Sequence, residues 1–219
     1  MYVQQIMSHP VDTVTTDFKL GLAAQLMREK GRRFLPVTDG DGHLIGLLSH
    51  RELERAEPSA ITTLSVGEVN YLMSKVKVAD VMHKEVITCG PSTLVEDAGQ
   101  LMRERSIGSL PVVEEGRLVG IVTDDDILDF LLQITGCHLK DTARIMVHLP
   151  DRIGELGRFL KTINELGGYI ATVVSPVLPD ETGMRVAIVR YRADDPSALD
   201  DGLRKRGYDL ITEEFPAQI

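Results

Sequence analysis

An internal repeat restricts the fold of this chain more than any other feature of its sequence. Val3-Gln4-Gln5-Ile6-Met7 reappears 75 residues later as Val78-Ala79-Asp80-Val81-Met82. The same offset relates Gln25-Leu26-Met27-Arg28-Glu29 to Gln100-Leu101-Met102-Arg103-Glu104, and Leu35-Pro36-Val37 to Leu110-Pro111-Val112. One residue then drops out between Asp39-Gly40-Asp41-Gly42 and Glu114-Glu115-Gly116, after which Gly42–Ser49 runs in step with Gly116–Thr123. A hairpin loop tolerates such a deletion. Met7, Met27, Met82 and Met102 fall at equivalent places in the two copies and read as core packing.

Each copy predicts the order β-α-β-β-α. A short strand at Val86-Ile87-Thr88 ends in the turn at Gly90-Pro91, and Leu94, Val95, Ala98, Leu101 and Met102 recur at helical spacing. Strands Leu110–Val113 and Leu118–Val122 flank the Glu-Glu-Gly turn. A second helix begins near Thr123, with the acidic first turn Asp124-Asp125-Asp126 that a helix dipole favours. A unit this small buries too little surface alone, so the two copies are expected to pack face to face. The expected boundaries are residues 1–60 for the first copy, 61–76 for a linker helix and 77–138 for the second copy, leaving a separate module at 139–219.

That last module has no counterpart in the repeat. Ala143–Leu149 predicts a strand, and Pro150–Leu156 a turn running into a helix with Ile153, Leu156, Leu160 and Ile163 on one face. Gly167-Gly168 supplies the stop. Strands are expected at 169–177 and Met184–Tyr191, a helix after Asp194-Asp195-Pro196, and a closing strand at 208–212. The order β-α-β-β-α-β predicts a ferredoxin-like sandwich, so the whole chain reads as α+β.

Composition narrows the function classes. Hydrophobic residues make up 43% of the 219, enough for well-formed cores, and no apolar run approaches bilayer length. The net charge of −9 disfavours binding to a phosphodiester backbone, and the absence of Trp leaves few stacking platforms. A locally positive pocket for a small anion remains compatible with that charge. The first residues show no basic stretch followed by an apolar core, and Cys89 and Cys137 form no metal-ligand or redox spacing. Two reduced, half-buried thiols in the cytoplasm are expected, with neither membrane nor nucleic acid as partner. The six histidines show no metal-ligand spacing, and there is no phosphate-binding loop, nucleophile elbow or zinc-protease motif.

The doubled unit resembles the CBS domain, through its twin Leu-Pro-Val strands and Gly120-Ile121-Val122-Thr123-Asp124-Asp125-Asp126, which fits that family's Gly-x-x-Thr/Ser-x-x-Asp pattern. The resemblance implies tandem pairs whose interface clefts bind adenosine-containing ligands. A Thr at a helix start presents a hydroxyl beside free backbone N–H groups, and a carboxylate one turn later accepts from ribose hydroxyls. By the resemblance, Thr123 meets phosphate and Asp126 ribose, while Ile107 and Gly108 line the adenine pocket. Arg32 and Arg33 occupy the equivalent positions of the first copy and are expected to reach the polyphosphate from across the pair. The competing expectation for Thr123–Asp126 is a capping box, which Ser49-His50-Arg51-Glu52 matches closely with Glu in place of Asp. For Arg32 and Arg33 the alternative is a solvated loop.

Asp151-x-x-Gly154-x-Leu156 after a first strand resembles the ACT domain, with Ile153 in place of that family's Pro. This implies side-by-side pairing and a small metabolite, such as an amino acid, at the turn of Asp151, Ile153 and Gly154; the alternative is a pure dimerisation module. A CBS pair followed by ACT resembles the acetoin-utilization regulatory proteins. The chain is thus expected to be a non-catalytic sensor that binds an adenine nucleotide, forms a homodimer or higher oligomer and modulates an unidentified partner. The alternative is a ligand-free dimerisation scaffold.

Overall fold

The computed structural model describes residues 1–56, 67, 68, 71, 74–176 and 183–211. Most of the expected linker helix at 61–76 lies outside them, as do the expected strand ends at 177 and 212. The chain forms two compact units, Met1–Leu128 and Asp129–Ile219.

In the first unit, one copy of the repeat gives α1 (Leu20–Lys30), β1 (Phe34–Thr38), β2 (Leu44–Ser49) and α2 (His50–Ala56). The other gives α3 (Val95–Arg105), β3 (Ser109–Glu114), β4 (Arg117–Thr123) and the start of α4 (Asp124–Ile134), whose residues from Asp129 on belong to the second unit. Both antiparallel hairpins align in the same way, with Pro36 opposite Leu47 and Pro111 opposite Ile121. Each slips by one residue at the matching step, Val37/Thr38 and Val112/Val113.

The predicted strand at Val86–Thr88 does not form; only a single parallel bridge joins Cys89 to Val112, as Val14 joins Val37 in the other copy. Pro111 explains this: the Cys89 N–H donates to the Pro111 carbonyl (3.2 Å) and the Val113 N–H to the Cys89 carbonyl (2.9 Å), but Pro111 has no N–H with which to extend the ladder. Of the two thiols, Cys89 is half-buried as expected, and burial pushes its pKa up to about 11; Cys137 is exposed.

The two copies exchange their leading segments. Val3, fully buried, packs in a core with Ala98, Met102, Leu110, Val112 and Val122 of the second copy. Val78, also fully buried, packs with Leu20, Met27, Leu35 and Leu48 of the first. Backbone bonds fasten the exchange: the Val3 N–H donates to the Thr93 carbonyl (2.8 Å) and the Val78 N–H to the Phe18 carbonyl (2.9 Å). Neither copy has a complete core of its own, which is why the pair folds as one unit.

The second unit contains β5 (Ala143–Pro150), α5 (Glu155–Glu165), β6 (Tyr169–Val174), β7 (Met184–Arg192), α6 (Pro196–Lys205) and β8 (Asp209–Leu210). Its sheet order is β6-β7-β5-β8, with all pairs antiparallel, as in ferredoxin-like folds. Alternate residues Ile145, Val147, Leu149, Ala187, Val189 and Tyr191 face one way and bury against Phe159, Ile163, Leu199 and Leu203 of the helices. Ile153 departs from the expected apolar face: it is fully exposed, because α5 begins only at Glu155 and Ile153 stands in the preceding turn. The other sheet face is partly covered by the chain entering the unit. The Thr135 carbonyl accepts from Arg190 Nε (3.1 Å) and Thr172 Oγ1 (3.3 Å), so residues before the expected boundary at 139 already belong to this unit.

Candidate functional site in the paired repeats

Each β-hairpin delivers its last strand residue directly into a helix N-terminus. The Asp124 N–H donates to the Gly108 carbonyl (3.1 Å), and at the equivalent place the His50 N–H donates to the Arg33 carbonyl (2.9 Å). The start of one strand and the start of the following helix are thereby held side by side in each copy. Two clefts open at these junctions, with volumes of about 210 Å3 and about 630 Å3.

The smaller cleft brings together Thr123 and Asp126 from the second copy with Arg32 and Arg33 from the first. The Thr123 N–H and Oγ1 both donate to Asp126 Oδ2, at 2.7 and 2.8 Å. The weak return bond from the Asp126 N–H to Thr123 Oγ1 measures 3.5 Å, so the capping box is formed. Asp126 Oδ1 has no hydrogen bond among the described residues and remains available as an acceptor. Arg32 Nε donates to Asp12 Oδ2 at 3.1 Å, and Lys30 shares that carboxylate. These hydrogen bonds, that from Lys30 foremost, hold the Asp12 carboxyl below its usual range. Arg33 binds the carboxylates of Asp124 and, at 2.8 Å, Asp125, with its guanidinium 5.5 Å above the Phe34 ring.

Ile107 and Gly108 do not join Thr123 and Asp126. They line the larger cleft, with Ser49 and Glu52 of the first copy. The exchanged leading segment explains the departure: Ser8 bridges Ile121, so Ser8, Pro10 and Asp12 stand beside Thr123 where the second copy's own strand start was expected. By the same exchange His83 bridges Leu47 and closes one side of the larger cleft. Ser49 and Glu52 form the second capping box, with the Ser49 N–H donating to Glu52 Oε2 at 3.1 Å and the hydroxyl to the same oxygen. Arg51 and Arg55 bring two further guanidinium groups to the larger cleft, and His83 an imidazole, which the sequence motif does not suggest. Arg33 and Phe34 line both clefts. Gly108 allows close approach here, since a Cβ would stand 3.1 Å from Phe34 Cζ and 3.3 Å from Asp124 Oδ2, and one of these side chains would have to shift.

Sequence reasoning missed Ser109, His83, Arg51 and Arg55 as cleft residues. The offset of 75 residues aligns Ser109 with Phe34, and that was the one signal available for it.

In the second unit, Gly154 adopts φ +88° at the head of α5, a conformation that favours glycine. Asp151 faces Arg185 Nη1 at 3.5 Å, and Ile153 points into solvent. Asp39, Asp41 and His43 gather three ligand-type atoms within 4.8 Å of one another. That cluster is explained by its turn, in which Asp39 accepts from the N–H groups of Asp41 (2.9 Å) and His43 (2.8 Å). Among the described residues, no helix is long and apolar enough to cross a membrane.

Tandem α-β-β-α copies that share their cores and leave two related clefts define a paired-repeat binding module. The chain belongs to the CBS-domain family: the CBS domain model matches residues 3–59 and 78–133, just over half of its length. A CBS domain-containing protein of Dictyostelium discoideum is 32% identical over 133 residues, spanning 60% of this chain and 92% of that protein. The crystal structure of a candidate acetoin utilization protein (AcuB) from Vibrio cholerae is similar over 63% of this chain and 95% of its own, with 27% identity and a TM-score of 0.53. CBSX2, solved in complex with AMP, is 30% identical with a TM-score of 0.51, covering 61% of this chain and 97% of its own.

Proposed function

We propose that this protein is a non-catalytic regulatory sensor that binds an adenine nucleotide, or a related adenosyl ligand, between its CBS repeats. The observation that carries the reading is the smaller cleft: Thr123 and Asp126 from one copy stand with Arg32 and Arg33 from the other. A hydroxyl at a helix start suits phosphate, the open Oδ1 of Asp126 suits a ribose hydroxyl, and two guanidinium groups suit further phosphates. AMP in the related CBSX2 supports the ligand class. The ligand shifts the populations of the repeat pair and so changes how a partner protein is held. The second unit acts as an ACT-type module, pairing two chains and offering the turn of Asp151, Ile153 and Gly154 to a small metabolite. The assembly is a cytoplasmic homodimer or higher oligomer related to the acetoin-utilization regulators.

One observation favours a ligand-free scaffold as the second reading. Arg32 and Arg33 have carboxylate partners within the chain, and both capping boxes are formed. Thermal denaturation of the full chain with AMP, ADP, ATP, NAD and S-adenosylmethionine separates the two. A ligand at a hundredfold excess over its Kd stabilises the folded state by about 2.7 kcal/mol, a rise in Tm of several degrees for a chain of this size. A Tm unmoved by all five leaves the scaffold.

A further inference from the structure

Helix α4 opens with three consecutive acids, and two of them hold a single arginine of the other copy. Arg33 Nη2 donates to Asp124 Oδ1 and, at 2.8 Å, to Asp125 Oδ2. The three side chains are about half exposed or more, and ion pairs in that setting add little stability. The contact has no counterpart in the other half of the repeat. Asp124 and Asp125 follow Thr123 as His50 and Arg51 follow Ser49, and Gly108 stands 75 residues after Arg33. A helix dipole acts on α2 as it does on α4, so it does not explain why these two acids occur in one copy only. They occur where an arginine faces them. The contact also touches both clefts, since Arg33 lines the two of them, Asp125 the smaller and Asp124 the larger.

We propose that Asp124 and Asp125 form an autoinhibitory contact: they occupy Arg33 as tethered stand-ins for phosphate, and a ligand's phosphates gain that arginine only by displacing them. Carboxylate and phosphate present the guanidinium fork with the same kind of oxygen pair, so the two compete for one group. The acids also repel incoming negative charge. The contact acts on the nucleotide site proposed above, and its role rests on that reading. It holds back a polyphosphate and leaves an uncharged adenosine compound unopposed, so the two acids set how strongly the paired repeats discriminate between them.

The test is calorimetric titration of the full chain with adenosine and with ATP in magnesium-free buffer. Four proteins are compared: wild type, Asp124→Asn with Asp125→Asn, Arg33→Gln, and the triple variant. Asn keeps the size of Asp and removes its charge. The paired acid-to-amide changes are expected to tighten ATP roughly three- to tenfold, the scale of two half-exposed ion pairs, and to move adenosine less than twofold. With Arg33→Gln in place, the same changes should bring no gain. An ATP gain no larger than the adenosine gain overturns the autoinhibitory role. So does a gain that survives Arg33→Gln, because the acids would then act by charge alone and not through the arginine. Wild type silent toward ATP beside an Asn variant that binds it supports the contact. Wild type and Asn variant that both bind neither ligand overturn the nucleotide reading itself, and the contact falls with it.

Discussion

At the level of single residues, Asp126 shows how one carboxylate holds two roles. Its Oδ2 caps the start of α4 by accepting from both groups of Thr123, while Oδ1 is left for a ligand. Asp126→Ala should therefore lower affinity for an adenine nucleotide by about 1.5–3 kcal/mol, the range for hydrogen bonds to a charged group. The lost cap should cost about 1 kcal/mol of stability. Calorimetric titration and thermal melting read the two separately, and a mutant that melts lower but binds normally would reduce Asp126 to a cap. Asp12 adds an electrostatic condition. Its pKa is depressed by Lys30 and Arg32, so its ion pairs are present at neutral pH and are lost only as pH falls through the folded-state value. A nucleotide entering the smaller cleft at neutral pH thus meets Arg32 already bound to a full negative charge.

At the level of elements, the exchange of leading segments depends on two glycines placed alike. A Cβ on Gly120 of β4 would stand 2.3 Å from Met7 Sδ and 2.9 Å from Met7 Cγ. A Cβ on Gly46 of β2 would stand 2.5 Å from Met82 Sδ and 3.1 Å from the His83 carbonyl oxygen. The absence of a side chain at each lets the other copy's leading segment lie flat on the strand. Gly120→Ala is expected to destabilise the first unit by about 1–3 kcal/mol, as overpacking does. Shortening the intruding residue with Met7→Ala should cost less in that background than alone. Denaturant unfolding of the four proteins closes the cycle, and additive effects would show that Met7 and Gly120 do not act on one another.

At the level of the whole molecule, apolar surface remains exposed among the described residues. Helix α4 has no buried residue, and Leu128, Leu131, Leu132 and Ile134 are 43–52% exposed. In the second unit, Val186 and Ile188 on the face of β7 away from α5 and α6 are only half-buried. Surface of this kind is characteristic of association. The full chain is expected to be at least a dimer in light scattering at tens of micromolar, and a monomer there would remove the proposed route of signalling between subunits.

Much of this architecture was legible in the sequence, because local pattern and repeat register are properties of neighbouring residues. The twin Leu-Pro-Val hairpins, the acid-led start of α4, the capping boxes at Thr123 and Ser49 and the β-α-β-β-α-β order of the second unit all follow from spacing and turn chemistry. What spacing does not encode is which copy completes which core. Val3 and Val78 are equivalent in sequence and each is buried in the other copy's core, a choice made by long-range packing. Arg32 and Arg33 share a cleft with Thr123, the pairing across copies that the sequence reading had expected, whereas the placing of Ile107 and Gly108 beside Glu52 emerged only from the packed structure. A hydrophobic pattern specifies that a side chain is buried, but only the packed tertiary structure specifies against what.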